Sequence, residues 1–279
     1  MEIEEDLVRY PELCASLFRN HTMSFFSHSE RSAPLPVPVQ AEVPELQDAE
    51  LAALYYGQRM GGDFYDFLRV SRCRVVFGLL DVAGRLEDSR SIITATQNTF
   101  RSVAMDLLSR DGINENEAMI DLGVQLNRTI LKEAKGIHPC PAFAACYNED
   151  MGILSYVNSG HLPALLRDRT GIVELPATGL PLGLFSHAAP DAAMAALQPG
   201  AAMLLVSRGV VEGKSRHEEF GMDRVKRSLQ ESSAESAKEI CMNVIDQVKQ
   251  FMKTPPTHND VTALALFRNA AGKAATLSC

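Results

Sequence analysis

The sequence predicts an α+β fold built from antiparallel sheets. Short apolar segments with hairpin spacing are clustered along its 279 residues, and blocks with helical periodicity stand apart from them. Residues 147–152 separate two such segments and end in a glycine, which is typical of a hairpin turn. Strands joined by hairpins, rather than by alternating helices, indicate antiparallel pairing.

Apolar runs and helical spacing place the elements in order. Residues 74–82 form a nearly continuous apolar run, typical of a strand that is buried on both faces. The other predicted strands are 50–56, 142–147, 153–158, 164–167, 172–175, 203–207 and 261–267. Apolar residues at helical intervals predict three helices, around residues 92–107, 119–130 and 240–251. We expect the last helix to start at a capping box formed by Ser232 and Glu235.

The two ends of the chain differ from its centre. Residues 2–20 have the apolar spacing of a short helix, and prolines at positions 34, 36, 38 and 44 are typical of an extended linker. We expect an N-terminal extension and linker at residues 1–40, one folded domain at 41–269 and a C-terminal tail at 270–279.

Composition and charge exclude several classes of protein. The chain is 46% apolar and 22% charged, which is typical of a globular protein and not of a fibrous or disordered one. Its net charge of −8, without a basic stripe, argues against a nucleic-acid partner. No leader pattern and no apolar run of ~18 residues is found, so no membrane span is predicted. The cysteines lack CxxC spacing, which favours free thiols and a cytoplasmic location.

Four aspartates stand where predicted strands end or turn. Asp63 and Asp66 lie three residues apart, Asp81 comes near the end of the most buried strand, and Asp260 opens the last strand. A buried carboxylate is costly unless it is paired or binds a metal, and hard divalent ions prefer oxygen ligands. For each aspartate alone, a cap at a turn or strand end is the simpler interpretation. The spacing does not show whether the four converge.

Seven motifs, taken in order, resemble those of the PPM superfamily (protein phosphatase type 2C-like) in its bacterial SpoIIE/RsbU-type branch. They are GGDFYD at 61–66, DVAGR at 81–85, NSGHLPALL at 158–166, GLPLGL at 179–184, SRGVVE at 207–212, FG at 220–221 and NDVT at 259–262. The resemblance implies a four-layer αββα sandwich, in which two antiparallel sheets are flanked by helices.

The resemblance also implies a site and an activity. The site would hold one or two Mn²⁺ or Mg²⁺ ions, and its ligands would be Asp81, the Val82 carbonyl, Asp63, Asp66 and Asp260. The activity would be that of a phosphoserine/phosphothreonine protein phosphatase, which hydrolyses its substrate with metal-activated water. The implied substrate is a phosphorylated regulatory protein of the anti-sigma-factor-antagonist type. The oligomeric state, a homodimer included, is left open.

One position departs from the family pattern and leaves two interpretations. The family has a metal-binding aspartate in its TDG motif, and the aligned residue here is Arg208. A guanidinium has no acceptor atom that could bind a metal ion, and its positive charge repels a nearby cation. In the first interpretation the chain is a phosphatase with Asp81, Asp260 and Arg208 as catalytic residues, and both Arg208 and Arg85 bind the substrate phosphate. In the second it is a weak or inactive pseudophosphatase acting in signalling or binding, in which Arg208 pairs with Asp81 or Asp260 and replaces the metal charge.

Overall fold

The structure is a computed structural model that describes residues 41–57, 62–82, 84, 86–254 and 260–270. The chain divides into two units, Met1–Pro34 and Leu35–Cys279. The first unit lies outside the described residues, and with it the helix predicted at residues 2–20. Almost all of the predicted C-terminal tail lies outside them as well.

The described part of the chain forms strands and helices in mixed order. The strands are β1 (Ala49–Tyr56), β2 (Asp63–Arg69), β3 (Arg74–Asp81), β4 (Ala142–Asn148), β5 (Ile153–Ser159), β6 (Ala164–Asp168), β7 (Gly171–Leu175), β8 (Ala193–Ala196), β9 (Ala202–Val206), β10 (Lys214–Ser215), β11 (Glu218–Glu219) and β12 (Val261–Arg268). The helices are α1 (Leu86–Leu108), α2 (Glu115–Glu133), α3 (Arg208–Val211), α4 (Met222–Glu231) and α5 (Ala237–Met252).

Two five-stranded sheets form the centre of the described part of the chain. The first sheet has the order β1-β12-β9-β6-β7 and the second has the order β2-β3-β4-β5-β8, while β10 and β11 form a separate small hairpin. Every pair of neighbouring strands is antiparallel. The predicted hairpin at residues 147–152 joins β4 to β5 and is confirmed.

The helices cover the outer faces of the two sheets. On β3, Val75, Phe77 and Leu79 enter the core between the sheets, whereas Val76 and Leu80 pack with α1 and α2. Both faces of β3 are buried, as the apolar run predicted. On the other side, α4 and α5 pack against the outer face of the first sheet. The layers are therefore helix, sheet, sheet and helix, and the predicted αββα sandwich is confirmed.

The predicted strands are present within one residue of their expected bounds, whereas α1 and α2 begin six and four residues before the expected helices, and the predicted start of α5 is wrong. The structure begins α5 after Ser236, whose side chain accepts a hydrogen bond from the backbone N–H of Glu239 at 3.2 Å. Ser232 instead follows the last residue of α4. Both sites have a serine three residues before a glutamate, so the sequence pattern alone does not distinguish them. In the described ranges no helix is long and apolar enough to cross a membrane.

Candidate active site

Three aspartates continue the inter-sheet core at one edge of the sandwich. Side chains two residues apart on a strand share a face. Asp81 follows Leu79 by two residues on β3, Asp63 precedes Tyr65 by two on β2, and both neighbours belong to the core between the sheets. Asp63 and Asp81 are also directly opposite each other in the β2–β3 register. Asp260, one residue before β12, is in step with the β12 residues that face the same core.

Asp66 is not part of this group, contrary to the prediction that it belongs to the metal ligands. It lies three residues after Asp63 and therefore faces α1, on the outer side of the sheet. Arg101 donates from Nε to Oδ2 at 2.6 Å and from Nη2 to Oδ1 at 2.8 Å. Gln97 donates to Oδ2 at 3.1 Å, and the residue is 1% exposed. Asp66 therefore ties β2 to α1.

Two hydroxyl groups hold the aspartates of the site, and neither was predicted. Thr262 donates to Asp63 Oδ2 at 2.8 Å, from the first sheet to the second. Tyr55, the penultimate residue of β1, donates to Asp260 Oδ1 at 3.1 Å. Thr262 lies two residues after Asp260 and so shares its face, a signal that was present in the sequence.

Ser207 fixes the chain at the point where β9 ends and β12 begins. Its N–H donates to the Thr262 carbonyl at 3.0 Å, and its hydroxyl donates to the Asp260 carbonyl at 3.0 Å. The same hydroxyl accepts from the N–H of Thr262 at 3.1 Å. These three bonds place Arg208, the next residue, at the edge that carries Asp260.

Arg208 forms an ion pair with Asp81 across the two sheets. Its Nε donates to Asp81 Oδ2 at 2.7 Å. The Asp81 side chain is 11% exposed and the Arg208 side chain is 50% exposed. The second interpretation of the sequence expected Arg208 to pair with Asp81 or Asp260, and the structure selects Asp81.

The Val82 carbonyl lies against Gly62, next to Asp63 and Asp81. The Val82 N–H donates to the Gly62 carbonyl at 3.2 Å. A Cβ added to Gly62 would lie only 1.9 Å from the Val82 carbonyl oxygen, so the close approach requires glycine. Arg85, the second residue predicted to bind substrate, lies outside the described residues.

His161 is buried next to the ion pair. Its Nδ1 lies 3.1 Å from the Leu162 carbonyl oxygen, which can only accept, so Nδ1 carries the proton. Burial lowers the pKa of His161, the charge of Arg208 lowers it further, and the charge of Asp81 opposes this shift. The imidazole is therefore neutral near pH 7. Its Nε2 is buried and has no hydrogen-bond partner among the described residues.

The surroundings of Asp63 disfavour the charged form of its carboxyl group. Burial is the largest cause that raises its pKa, and the negative charges of Asp81 and Asp260 raise it further. The hydrogen bond from Thr262 lowers it, and the balance gives a pKa of about 7. The three carboxylates therefore lie close enough to repel one another, with Arg208 as the cation paired to one of them.

The donor atoms at the site are of the kind that a divalent ion prefers, but they are not arranged to hold one. Carboxylate and carbonyl oxygens are the ligands that Mn²⁺ and Mg²⁺ prefer. However, no group of three or more His, Cys, Asp or Glu residues in the described ranges is arranged to hold a metal ion. Arg208 occupies one oxygen of Asp81 and is the residue that aligns with the metal-binding aspartate of the family's TDG motif. The resemblance implies one or two ions, and as arranged here these residues do not fit the two-ion form of the site.

The raised pKa of Asp63 predicts a pH-dependent stability. Between about pH 4 and pH 7 the folded chain keeps the Asp63 proton that the unfolded chain has lost, so stability falls as the pH rises through this window. Asp63→Asn has no such proton to lose. From pH 5 to pH 8, its free energy of unfolding should therefore rise by roughly 1–3 kcal/mol relative to that of the unsubstituted chain. Urea unfolding in chelator at both pH values measures this. The exposed Asp246→Asn should show no such gain, and parallel pH profiles for all three chains would contradict the assignment.

Comparison with known proteins identifies the family. The family model of Stage II sporulation protein E (SpoIIE) matches residues 71–269. The chain belongs to the SpoIIE family. It is 25% identical over 231 residues to the phosphoserine phosphatase RsbU of Bacillus subtilis (strain 168), a match that covers 81% of this chain and 65% of RsbU. The chain thus spans slightly less than two thirds of the length of that relative.

Solved structures of SpoIIE relatives share the fold. The RsbU and RsbW domains of Rv1364c from Mycobacterium tuberculosis match with a TM-score of 0.67 and 21% identity, over 84% of this chain and 63% of that one. The PP2C phosphatase domain of SpoIIE from Bacillus subtilis, with a fragment of its regulatory domain, matches with a TM-score of 0.65 and 16% identity, over 80% and 63% of the two chains. The resemblance to the SpoIIE/RsbU branch and its phosphatase fold is confirmed.

Proposed function

We propose that this chain is a protein serine/threonine phosphatase of the SpoIIE/RsbU type. The observation that carries the proposal is the convergence of Asp63, Asp81 and Asp260 at one edge of the inter-sheet core, in a member of the SpoIIE family. The proposed substrate is a phosphorylated regulatory protein of the anti-sigma-factor-antagonist type, in the cytoplasm. The phosphoserine phosphatase activity in the name of RsbU supports phosphoserine as the group that is hydrolysed.

Arg208 is the group that we expect to contact the phosphoryl oxygens. It holds Asp81 through Nε alone, and its guanidinium makes no other hydrogen bond to the described residues. The terminal nitrogens are therefore free to donate a bidentate pair of hydrogen bonds to two phosphate oxygens, which suits the planar guanidinium.

A divalent ion is the proposed cofactor, and Mn²⁺ or Mg²⁺ suits the oxygen donors. Such an ion, when bound, lowers the pKa of a water and offsets phosphate charge. Its ligands would be Asp63, Asp81, Asp260 and the Val82 carbonyl. Because Arg208 holds Asp81 in the structure, this arrangement requires the guanidinium to move away.

A second candidate function is favoured by the same ion pair. A guanidinium on Asp81 neutralises a carboxylate that the family uses for metal, and the fold then needs no ion to offset that charge. The chain would then bind a phosphorylated protein without hydrolysing it, as a pseudophosphatase.

The test is hydrolysis of para-nitrophenyl phosphate and of a phosphoserine peptide by the purified chain. We expect turnover that needs Mn²⁺ or Mg²⁺, stops in chelator and falls about 100-fold or more in Asp81→Asn and Asp260→Asn, because metal contributions to phosphoryl transfer amount to several kcal/mol. Asp246→Asn makes the same acid-to-amide change on the exposed face of α5 and should keep full activity.

The absence of hydrolysis of both substrates with every metal tested would contradict the phosphatase proposal. Binding of the phosphoserine peptide, measured by calorimetry, then decides for the second candidate. Under that candidate, binding persists in chelator and is lost in Arg208→Gln.

A further inference from the structure

The Arg208–Asp81 ion pair has a property that an ordinary surface ion pair lacks. Its carboxylate is nearly buried and belongs to a group of three, whereas the Arg208 side chain is half exposed and its guanidinium is anchored by a single nitrogen. Asp63 and Asp260 are held by the hydroxyl groups of Thr262 and Tyr55. Among the described residues, Arg208 is the one cation in ion-pair contact with this group.

A divalent ion and Arg208 need the same carboxylate. An ion at this edge would take its oxygens from Asp63, Asp81 and Asp260, and Arg208 already holds Asp81 Oδ2 at 2.7 Å. Two cations that share one carboxylate repel each other strongly at short distance in a partly dry site. The Arg208 side chain is half exposed, which leaves the guanidinium room to swing into solvent.

We propose that Arg208 is a built-in cation that competes with divalent metal ions for Asp81. The chain therefore binds Mn²⁺ or Mg²⁺ weakly while the guanidinium is in place, and removal of its charge strengthens binding. The proposal deepens the proposed function, since it concerns the ion site of that function, but it holds for ion binding whether or not the chain hydrolyses phosphate.

The competition is tested by thermal unfolding of the purified full chain during titration with Mn²⁺ alone. We expect Arg208→Gln, which removes the charge, to bind Mn²⁺ about ten-fold or more tightly than the unsubstituted chain. Arg208→Asp, which restores a carboxylate, should bind most tightly, and its melting temperature should rise by about 5–10 °C when Mn²⁺ reaches 100 times its dissociation constant. Addition of Asp81→Asn to Arg208→Asp should remove most of this rise.

Arg110→Asp provides the matched control. It makes the same change of two charge units, and Arg110 is exposed at the far end of β3, where its carbonyl accepts from Arg74. Its response to Mn²⁺ should equal that of the unsubstituted chain. If Arg208→Asp is unfolded without metal, refolding on addition of Mn²⁺ supports the proposal as well, and Arg208→Gln gives the affinity.

Two results would overturn the competition. One is an equal response to Mn²⁺ in Arg208→Gln and the unsubstituted chain, and the other is no larger response in Arg208→Asp than in Arg110→Asp. Failure of the proposed function has a different signature. In that case no variant hydrolyses phosphate esters, while the differences in Mn²⁺ binding remain.

Discussion

Replacing Arg101 with methionine should lower the free energy of unfolding by about 3 kcal/mol, because it leaves the buried Asp66 carboxylate without its cation. Asp66 is 1% exposed and receives two hydrogen bonds from Arg101. Methionine keeps an apolar stem of similar length, so the loss reports the ion pair more than the packing. Urea unfolding at pH 7 measures the effect.

The control for this prediction is Arg110→Met. Arg110 pairs with Asp106 at 3.8 Å, and the two side chains are 78% and 76% exposed. A surface pair of this kind contributes ~0–1 kcal/mol, so the control should be nearly neutral. The double variant Asp66→Asn/Arg101→Met should recover part of the loss, since it removes the uncompensated charge. Equal losses in the two single arginine variants would show that Asp66 does not depend on Arg101.

The position of Asp66 could have been predicted from the sequence, and the resemblance concealed it. In a strand, residues three apart face opposite sides, so Asp63 and Asp66 cannot both face one site. The family motif treats both aspartates as one acidic pair at the metal site, which conflicts with the alternation of faces along a strand. Asp63, Asp81 and Asp260 pass the same test, because each is in step with the inter-sheet core of its own strand.

The fold was predictable where periodicity is strong. The apolar run of β3 and the helical spacing of α1, α2 and α5 all correspond to buried faces. The short β8 and the helix α4 were not predicted. β8 has only four residues and alternates between half-buried and exposed positions, so it carries little pattern. The helix α4 buries only three of its ten residues.

Contacts between the two sheets could not be predicted from the sequence. Thr262 and Asp63 are 199 residues apart, and Arg208 and Asp81 are 127 apart. Local patterns place each residue at the end of a strand, but which ends meet depends on how the two sheets pack. The sequence therefore left two partners open for Arg208, and only the three-dimensional structure distinguishes Asp81 from Asp260.

Gly62 controls the spacing between β2 and β3 at the site. A Cβ there would lie 1.9 Å from the Val82 carbonyl oxygen and 2.9 Å from the carbonyl carbon, both of which are backbone atoms. A side chain could rotate away from such a contact, but a backbone carbonyl directly after a paired strand cannot do so without moving the chain. The clash must separate the strands next to Asp63 and Asp81, which are opposite each other in the register.

We therefore expect Gly62→Ala to lower the free energy of unfolding by about 3 kcal/mol, which for a chain of this size lowers the melting temperature by roughly 6–12 °C. The matched control is Gly136→Ala, since a Cβ at Gly136 meets no atom within 4 Å. That change should be neutral or raise stability by about 0.4–1 kcal/mol, because alanine restricts the unfolded chain. Thermal unfolding of both variants gives the comparison. Similar shifts would mean that β2 does not approach Val82 as closely as described, and the Val82 carbonyl would then have to be removed from the proposed ligand set.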